Sequence, residues 1–193
     1  MVKEIDPGEL GAQQLSIIPI ASGQKKPACR RENSGDEKVI PSDEWSGYFW
    51  GVKGGYVFFS AEDGWNGAMG FAIFTAAEAK KIFEDVAKTW RSIQLTSSGL
   101  ALGYRRVYGA SCSLLMDEAA CWQHIEQDTG LTGASAPDCT ATYVAEQKRT
   151  PAFATQVLAD PTVFDYDVNV TIDAGGAKTA PVSRKVVDCR PAE

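Results

Sequence analysis

The sequence predicts an α+β protein: an antiparallel β-sheet of meanders and hairpins with a layer of two to four helices, stapled by disulfides. Three observations predict it. Short runs of aromatic and β-branched residues alternate with Gly, Asn and Asp turns, from Trp45 to Tyr108 and again after Thr162. Helix start and stop residues flank three stretches between Gly109 and Pro161. Cys112, Cys121, Cys139 and Cys189 all fall in the second half of the chain, where the helices are expected.

The 193 residues suit an extended, partly ordered N-terminal arm over 1–43 and a single α+β domain over 44–193. The arm is rich in Gly, Pro, Ser and charge. Its one apolar island, 15–20, is interrupted by Pro19 and is expected as a single strand at a sheet edge, where Pro is tolerated. The body opens with Trp45-Ser46-Gly47-Tyr48-Phe49-Trp50-Gly51, turns at Gly54-Gly55 and continues as Tyr56-Val57-Phe58-Phe59, an aromatic hairpin. Asp63-Gly64 and Asn66-Gly67 are both turn pairs, and they lead into a third strand over 70–75.

Residues 76–90 read as a helix. Ile82, Phe83, Val86 and Trp90 share one side, and Glu78, Lys81, Glu84, Asp85 and Lys88 fall mostly on the other. The rival reading makes Ala77-Glu78-Ala79-Lys80 a tight turn between two strands. A hairpin follows over 92–96 and 100–108, with Leu100, Leu102 and Tyr104 facing inward. Asp117 or Ser113 caps a helix running through Cys121, Trp122 and Ile125 to Gly130, where glycine stops it. Pro137-Asp138 opens a second helix to about Lys148, and Thr150-Pro151 a short third one ending before Asp160-Pro161. Over 163–172 Phe164, Tyr166, Val168, Val170 and Ile172 alternate with Val163, Asp165, Asp167, Asn169 and Thr171, the clearest strand in the chain. Ala174-Gly175-Gly176 turns it back into a last strand ending at Cys189.

Nineteen Lys and Arg against 25 Asp and Glu leave a net charge of −6, and the cations are scattered. Gripping a phosphate backbone takes several cationic contacts placed together, so no nucleic-acid partner is expected. The nearest cluster, Lys25, Lys26, Arg30 and Arg31, runs directly into Glu32, Asp36 and Glu37. No uncharged run reaches the roughly 20 residues needed to cross a bilayer, so no transmembrane segment is expected. Met1-Val2-Lys3-Glu4 leads into Asp6-Pro7-Gly8 and not into an apolar leader, which reads either as a cytosolic chain or as a mature form whose signal peptide has been removed. Disulfides persist in oxidising compartments, so the cysteines point to a periplasmic or secreted protein. Five thiols leave one over, and Cys29 in a polar segment is the odd one. The other four allow three connectivities, of which Cys112 with Cys121 and Cys139 with Cys189 is expected.

Among groupings that could carry chemistry, the aromatics Trp45, Tyr48, Trp50, Tyr56 and Trp65 lie beside the polar Asp63 and Asn66. Aromatic faces stack on sugars or on a partner's apolar side chains, and Asp and Asn supply directional hydrogen bonds. Trp45, Trp50, Asp63, Trp65 and Asn66 are therefore the candidate ligand-binding residues for a protein or carbohydrate, with Trp65, at a loop tip, the member expected to be exposed. The competing reading makes these aromatics the core of the hairpin sheet.

Cys112, Cys121, His124 and Cys139 match a zinc ligand count, but their spacing is not that of a compact structural site, so disulfides are preferred and no metal or cofactor is expected. His124 is the only histidine, no G-x-S-x-G elbow is present, and no catalytic residue is assigned. Asp165 and Asp167 share a strand face about 7 Å apart, a spacing that suits acid and base work on a glycoside. A hydrolase of cell-wall or extracellular polymer, using carboxylates or His124, is thus the alternative to a non-enzymatic binding domain.

The segments Gly55-Tyr56-Val57-Phe58-Phe59-Ser60-Ala61-Glu62-Asp63-Gly64, Cys112 through Cys121-Trp122 and Cys189-Arg190-Pro191 are similar to uncharacterised exported proteins of proteobacteria. The resemblance implies export and carries no assigned activity.

Overall fold

The computed structural model describes residues 1–5, 14–21, 23–28, 30–33 and 35–192; Cys29 lies outside them. The chain is mostly antiparallel β-sheet. Strands β1 (Val2–Ile5), β2 (Gln14–Ile17) and β3 (Lys38–Val39) form a small sheet in that order. Seven strands lie side by side in chain order: β4 (Gly47–Lys53), β5 (Tyr56–Trp65), β6 (Ala68–Thr75), β7 (Lys81–Leu95), β8 (Leu100–Gly109), β9 (Thr162–Asp173) and β10 (Gly176–Pro191). Helices α1 (Glu118–Thr129), α2 (Thr140–Arg149) and α3 (Ala154–Val157), with a 3₁₀ turn at Pro151–Phe153, fall between β8 and β9. The chain divides into two compact units, Met1–Trp65 with Met69–Asp85, and Asn66–Ala68 with Val86–Glu193.

In the first unit, Leu15, Ile17 and Ile40 of the small sheet and the segment beside it pack on Val57, Phe59, Ala72 and Phe74 from β5 and β6. Burying one face of each sheet in a common core is how short strands become stable together. The arm's expected lone strand is therefore one of three. Lys3 in β1 is buried against Glu37 at 2.6 Å, and its Nζ also donates to the Asn33 side chain and the Glu32 carbonyl. These contacts tie the segment before β3 to β1. The Phe59 and Phe74 rings meet edge to face at 5.4 Å.

The reading of 76–90 as a helix is overturned. Residues 76–80 make a turn, closed by Thr75 N–H to Lys80 O at 2.9 Å and Ala79 N–H to Thr75 O at 2.9 Å, and β7 follows. The strand escaped recognition because Ile82, Val86 and Trp90 recur every four residues, a spacing that a strand and a helix share. Two β-bulges, between Ala87 and Thr89 and between Trp90 and Ser92, insert an extra residue each and interrupt the alternation of the second half. Asp63-Gly64 also departs from expectation, since it lies within β5. The turn is Asn66-Gly67, whose φ values of 49° and 73° are both positive, as a two-residue type I′ hairpin loop requires.

In the second unit β8 pairs with β9, Leu102 opposite Val170, Tyr104 opposite Val168 and Tyr108 opposite Phe164. Trp122 of α1 packs its ring on Phe164 at 6.2 Å, and the Tyr143 hydroxyl of α2 bonds to Thr162 and the Asp160 carbonyl. The helices therefore cover this face of the sheet. Asp117 caps α1 by accepting from the Ala120 N–H, and Gly130 ends it in the left-handed conformation at φ 74°. The disulfides join Cys112 to Cys121 and Cys139 to Cys189, with Cα separations of 5.7 and 5.4 Å. The first fastens the loop after β8 to α1, and the second fastens the start of α2 to β10.

Candidate functional site

A strand buried on one face exposes alternate residues, so three consecutive aromatics on one strand cannot all be buried by it. Tyr48-Phe49-Trp50 is such a run. It lies on β4, which ends the seven-strand order, and Tyr48, Phe49, Trp50 and Val52 are all substantially exposed, Trp50 at 45% and Val52 at 57%. A bulge between Phe49 and Gly51 makes Trp50 the extra residue, so Phe49 and Trp50 turn toward different neighbours on β5. Phe49 meets Phe59 edge to face at 6.3 Å and Trp50 meets Phe58 at 5.9 Å with planes 86° apart. Phe58 and Phe59 are both buried, so each outer ring is held by a fixed inner one. The Phe49 N–H is bonded by the Glu4 carboxylate, which occupies one backbone donor of the edge with a charge.

The other expected ligand residues are dispersed. Trp45 is half-buried and packs against the first unit's apolar cluster, close to Gly70. Trp65 is exposed at 41%, but it stands seven residues beyond Phe58 on β5, about 23 Å along a strand. Asp63 is exposed on the same strand, past the last β4 partner, Gly47 opposite Ala61. Asn66 is only 6% exposed; it belongs to the second unit, and its carbonyl accepts from Arg190 Nη2 at 2.6 Å. Trp50 and Trp65 therefore do not share one platform. Phe49 and Val52 are the exposed neighbours that sequence reasoning passed over, and the signal for them was the unbroken aromatic run.

The carboxylates proposed for hydrolysis are engaged in ion pairs. Asp165, 1% exposed, accepts from Lys88 Nζ at 2.6 Å and Arg190 Nη1 at 3.0 Å. Asp167 pairs with Arg105 at 3.2 Å. Both carboxylates are thus already engaged by cations, which fits a scaffold role. His124 is exposed on α1, 3.5 Å from Asp128 one turn on. Asp128 also accepts from the Tyr108 hydroxyl at 2.5 Å; burial first, and then this bond, raise the tyrosine's pKa well above its ordinary value. Cys121, placed beside His124 as a possible zinc ligand, is in a disulfide. Among the described residues no three or more His, Cys, Asp or Glu side chains gather as a metal site, and no helix is long and apolar enough to cross a membrane.

Comparison with protein families, with curated proteins and with solved structures finds no match to this chain.

Proposed function

We infer that the protein is an exported, non-enzymatic binding domain whose partner is a polypeptide docking on the β4 edge. The observation that carries this reading is the run of large apolar side chains exposed within one seven-residue strand, Tyr48, Phe49, Trp50 and Val52. Aromatic residues are the common anchors of protein interfaces, where their burial contributes most of the affinity. A sugar-binding platform needs rings presented to the same side, whereas Phe49 and Trp50 turn to different neighbours across the bulge. A polypeptide can wrap such an edge. The two disulfides support a periplasmic or secreted location.

The test is a photo-crosslinking residue placed at Tyr48 or Trp50 in the full chain, expressed in the envelope of its source cells, with Phe153 as an exposed control. A discrete protein adduct from the first two positions, competed by the unmodified chain but not by a Trp50→Ala, Tyr48→Ala chain, is the expected result. Equal adducts from Phe153, or competition by the doubly substituted chain, would overturn the reading. The hydrolytic alternative draws no support from Asp165 and Asp167, whose oxygens already face cations.

A further inference from the structure

Among the helices that link β8 to β9, the second unit holds an open cavity of about 320 Å³, at the lower end of the roughly 300–1,000 Å³ of small-ligand sites. Two short segments form its walls. Leu114 and Leu115 of the loop after β8, with Glu118 at the start of α1, make one; Pro137, Asp138 and Cys139, leading into α2, make the other. Each wall is fastened separately. The first is held by the Cys112–Cys121 disulfide, by Ser113 Oγ donating to the Leu158 carbonyl at 2.6 Å and by the Leu114 N–H donating to Thr162 Oγ1 at 2.9 Å. The second is held by the Cys139–Cys189 disulfide and, three residues before Pro137, by Trp122 Nε1 donating to the Ala134 carbonyl at 3.0 Å. Walls fastened in this way keep their spacing, and a space that is already formed spares a ligand the cost of ordering loops around it.

The two walls carry the same chemistry. Leu114 and Cys139 are buried, Leu115 and Pro137 partly buried, and each wall adds one exposed carboxylate, Glu118 or Asp138. Asp138 accepts from the Thr140 N–H at 2.9 Å, and the Thr140 hydroxyl and then this N–H hold its carboxyl below the usual carboxylate range. Among the described residues no Lys, Arg or His lines the cavity, and neither carboxylate is ion-paired. The helix starts at Glu118 and Thr140 each carry about half a positive charge, together about +1 against the −2 of the carboxylates, so the field here favours a cation. A bare metal ion would leave the apolar sides unused and meet two carboxylates where calcium takes about six to eight oxygens. A methylene chain with an ammonium group at each end uses both parts of the lining.

We propose that this cavity binds a linear aliphatic diamine, its methylenes along Leu114, Leu115 and Pro137 and its ammonium groups toward Glu118 and Asp138. The site belongs to the second unit and does not depend on the β4 reading.

The experiment follows amide shifts in ¹H–¹⁵N spectra of the intact, oxidised chain during titration with 1,5-diaminopentane, and in parallel with 1-aminopentane, 1,5-pentanediol and calcium chloride. Saturable shifts at Leu115, Glu118, Asp138 and Thr140 are expected with the diamine. The monoamine, which lacks one charge pair, should bind about fivefold more weakly, and the diol and calcium should not saturate these amides. Asp138→Asn, which keeps an oxygen for the Thr140 N–H, and Glu118→Gln each remove one exposed charge, and each should weaken the diamine about fivefold at a nearly unchanged melting temperature. Absence of saturable shifts with the diamine, binding of the diol or of calcium as tight as that of the diamine, or a doubly substituted chain that binds like the parent would each overturn the proposal.

Discussion

The β4 edge and the charged side of β7 to β9 present opposite relations between surface and stability. On β4 the exposed rings rest on a core that is already complete behind them, since Phe58 and Phe59 are buried. On the charged side the same kinds of residue hold the sheet together and face solvent: Asp165 is inside, while its partner Lys88 is about a third exposed. Substitution on β4 should therefore separate binding from folding. Substitution among the charges should not. The units differ in covalent support too, because both disulfides lie within the second.

That last difference gives the largest expected effect. Cys139 and Cys189 are 50 residues apart, and closing a loop of that length restrains the unfolded chain by about 4 kcal/mol in the chain-entropy account. Cys112 and Cys121, nine apart, should contribute about 3 kcal/mol. Replacing the first pair by Ser should lower stability in urea more than replacing the second. Hydrogen exchange should then show earlier loss of protection in α2 and β10 than at Phe59 and Phe74. If protection falls equally everywhere, the two units unfold as one and the contrast in covalent support has no consequence.

Next in size is Asp165→Ala. It would leave Lys88 and Arg190 facing an emptied site, and stranding a buried charge costs about 3–5 kcal/mol. Lys88 can turn to water, so the low end, about 3 kcal/mol, is expected from urea denaturation. Asp167→Ala, with its half-exposed partners, should cost much less. Similar losses from both would mean that burial does not distinguish the two carboxylates. Asn66→Ala should cost about 1–2 kcal/mol, because alanine is strained at φ 49°, and Asn66→Gly should largely restore stability. An alanine variant as stable as the parent would show that the turn readjusts.

What the sequence disclosed follows from the range of the forces involved. The caps of α1 at Asp117 and Gly130, the alternation of β9 and the Asn66-Gly67 turn are set within a few residues, and all three were legible. Strand β7 was not, because Ile82, Val86 and Trp90 recur at a four-residue spacing that a helix shares, and the bulges at Lys88 and Arg91 interrupt the alternation that would mark a strand. The arm's sheet was hidden for a similar reason: it is held by Leu15 and Ile17 meeting residues 40 or more positions away. At the candidate site the aromatic run was visible, but that Trp50 sits on a bulged terminal strand and that Trp65 stands far along β5 depend on register, which no local pattern encodes.

The smallest expected change in stability is the most informative about function. Trp50→Ala removes a ring that meets Phe58 edge to face, and the indole is already almost half in water. The expected loss is about 1 kcal/mol or less, well below the 3–5 kcal/mol of a fully buried aromatic. Trp50→Phe should keep most of the ring contact and lose less. If thermal denaturation shows a multi-kilocalorie loss for Trp50→Ala, then the ring is part of the core, and the β4 edge owes its aromatics to folding. If the loss is small while the crosslink at Tyr48 disappears, the fold has no need of the indole that the partner needs. The exposed rings of β4 are then there to be covered by another chain.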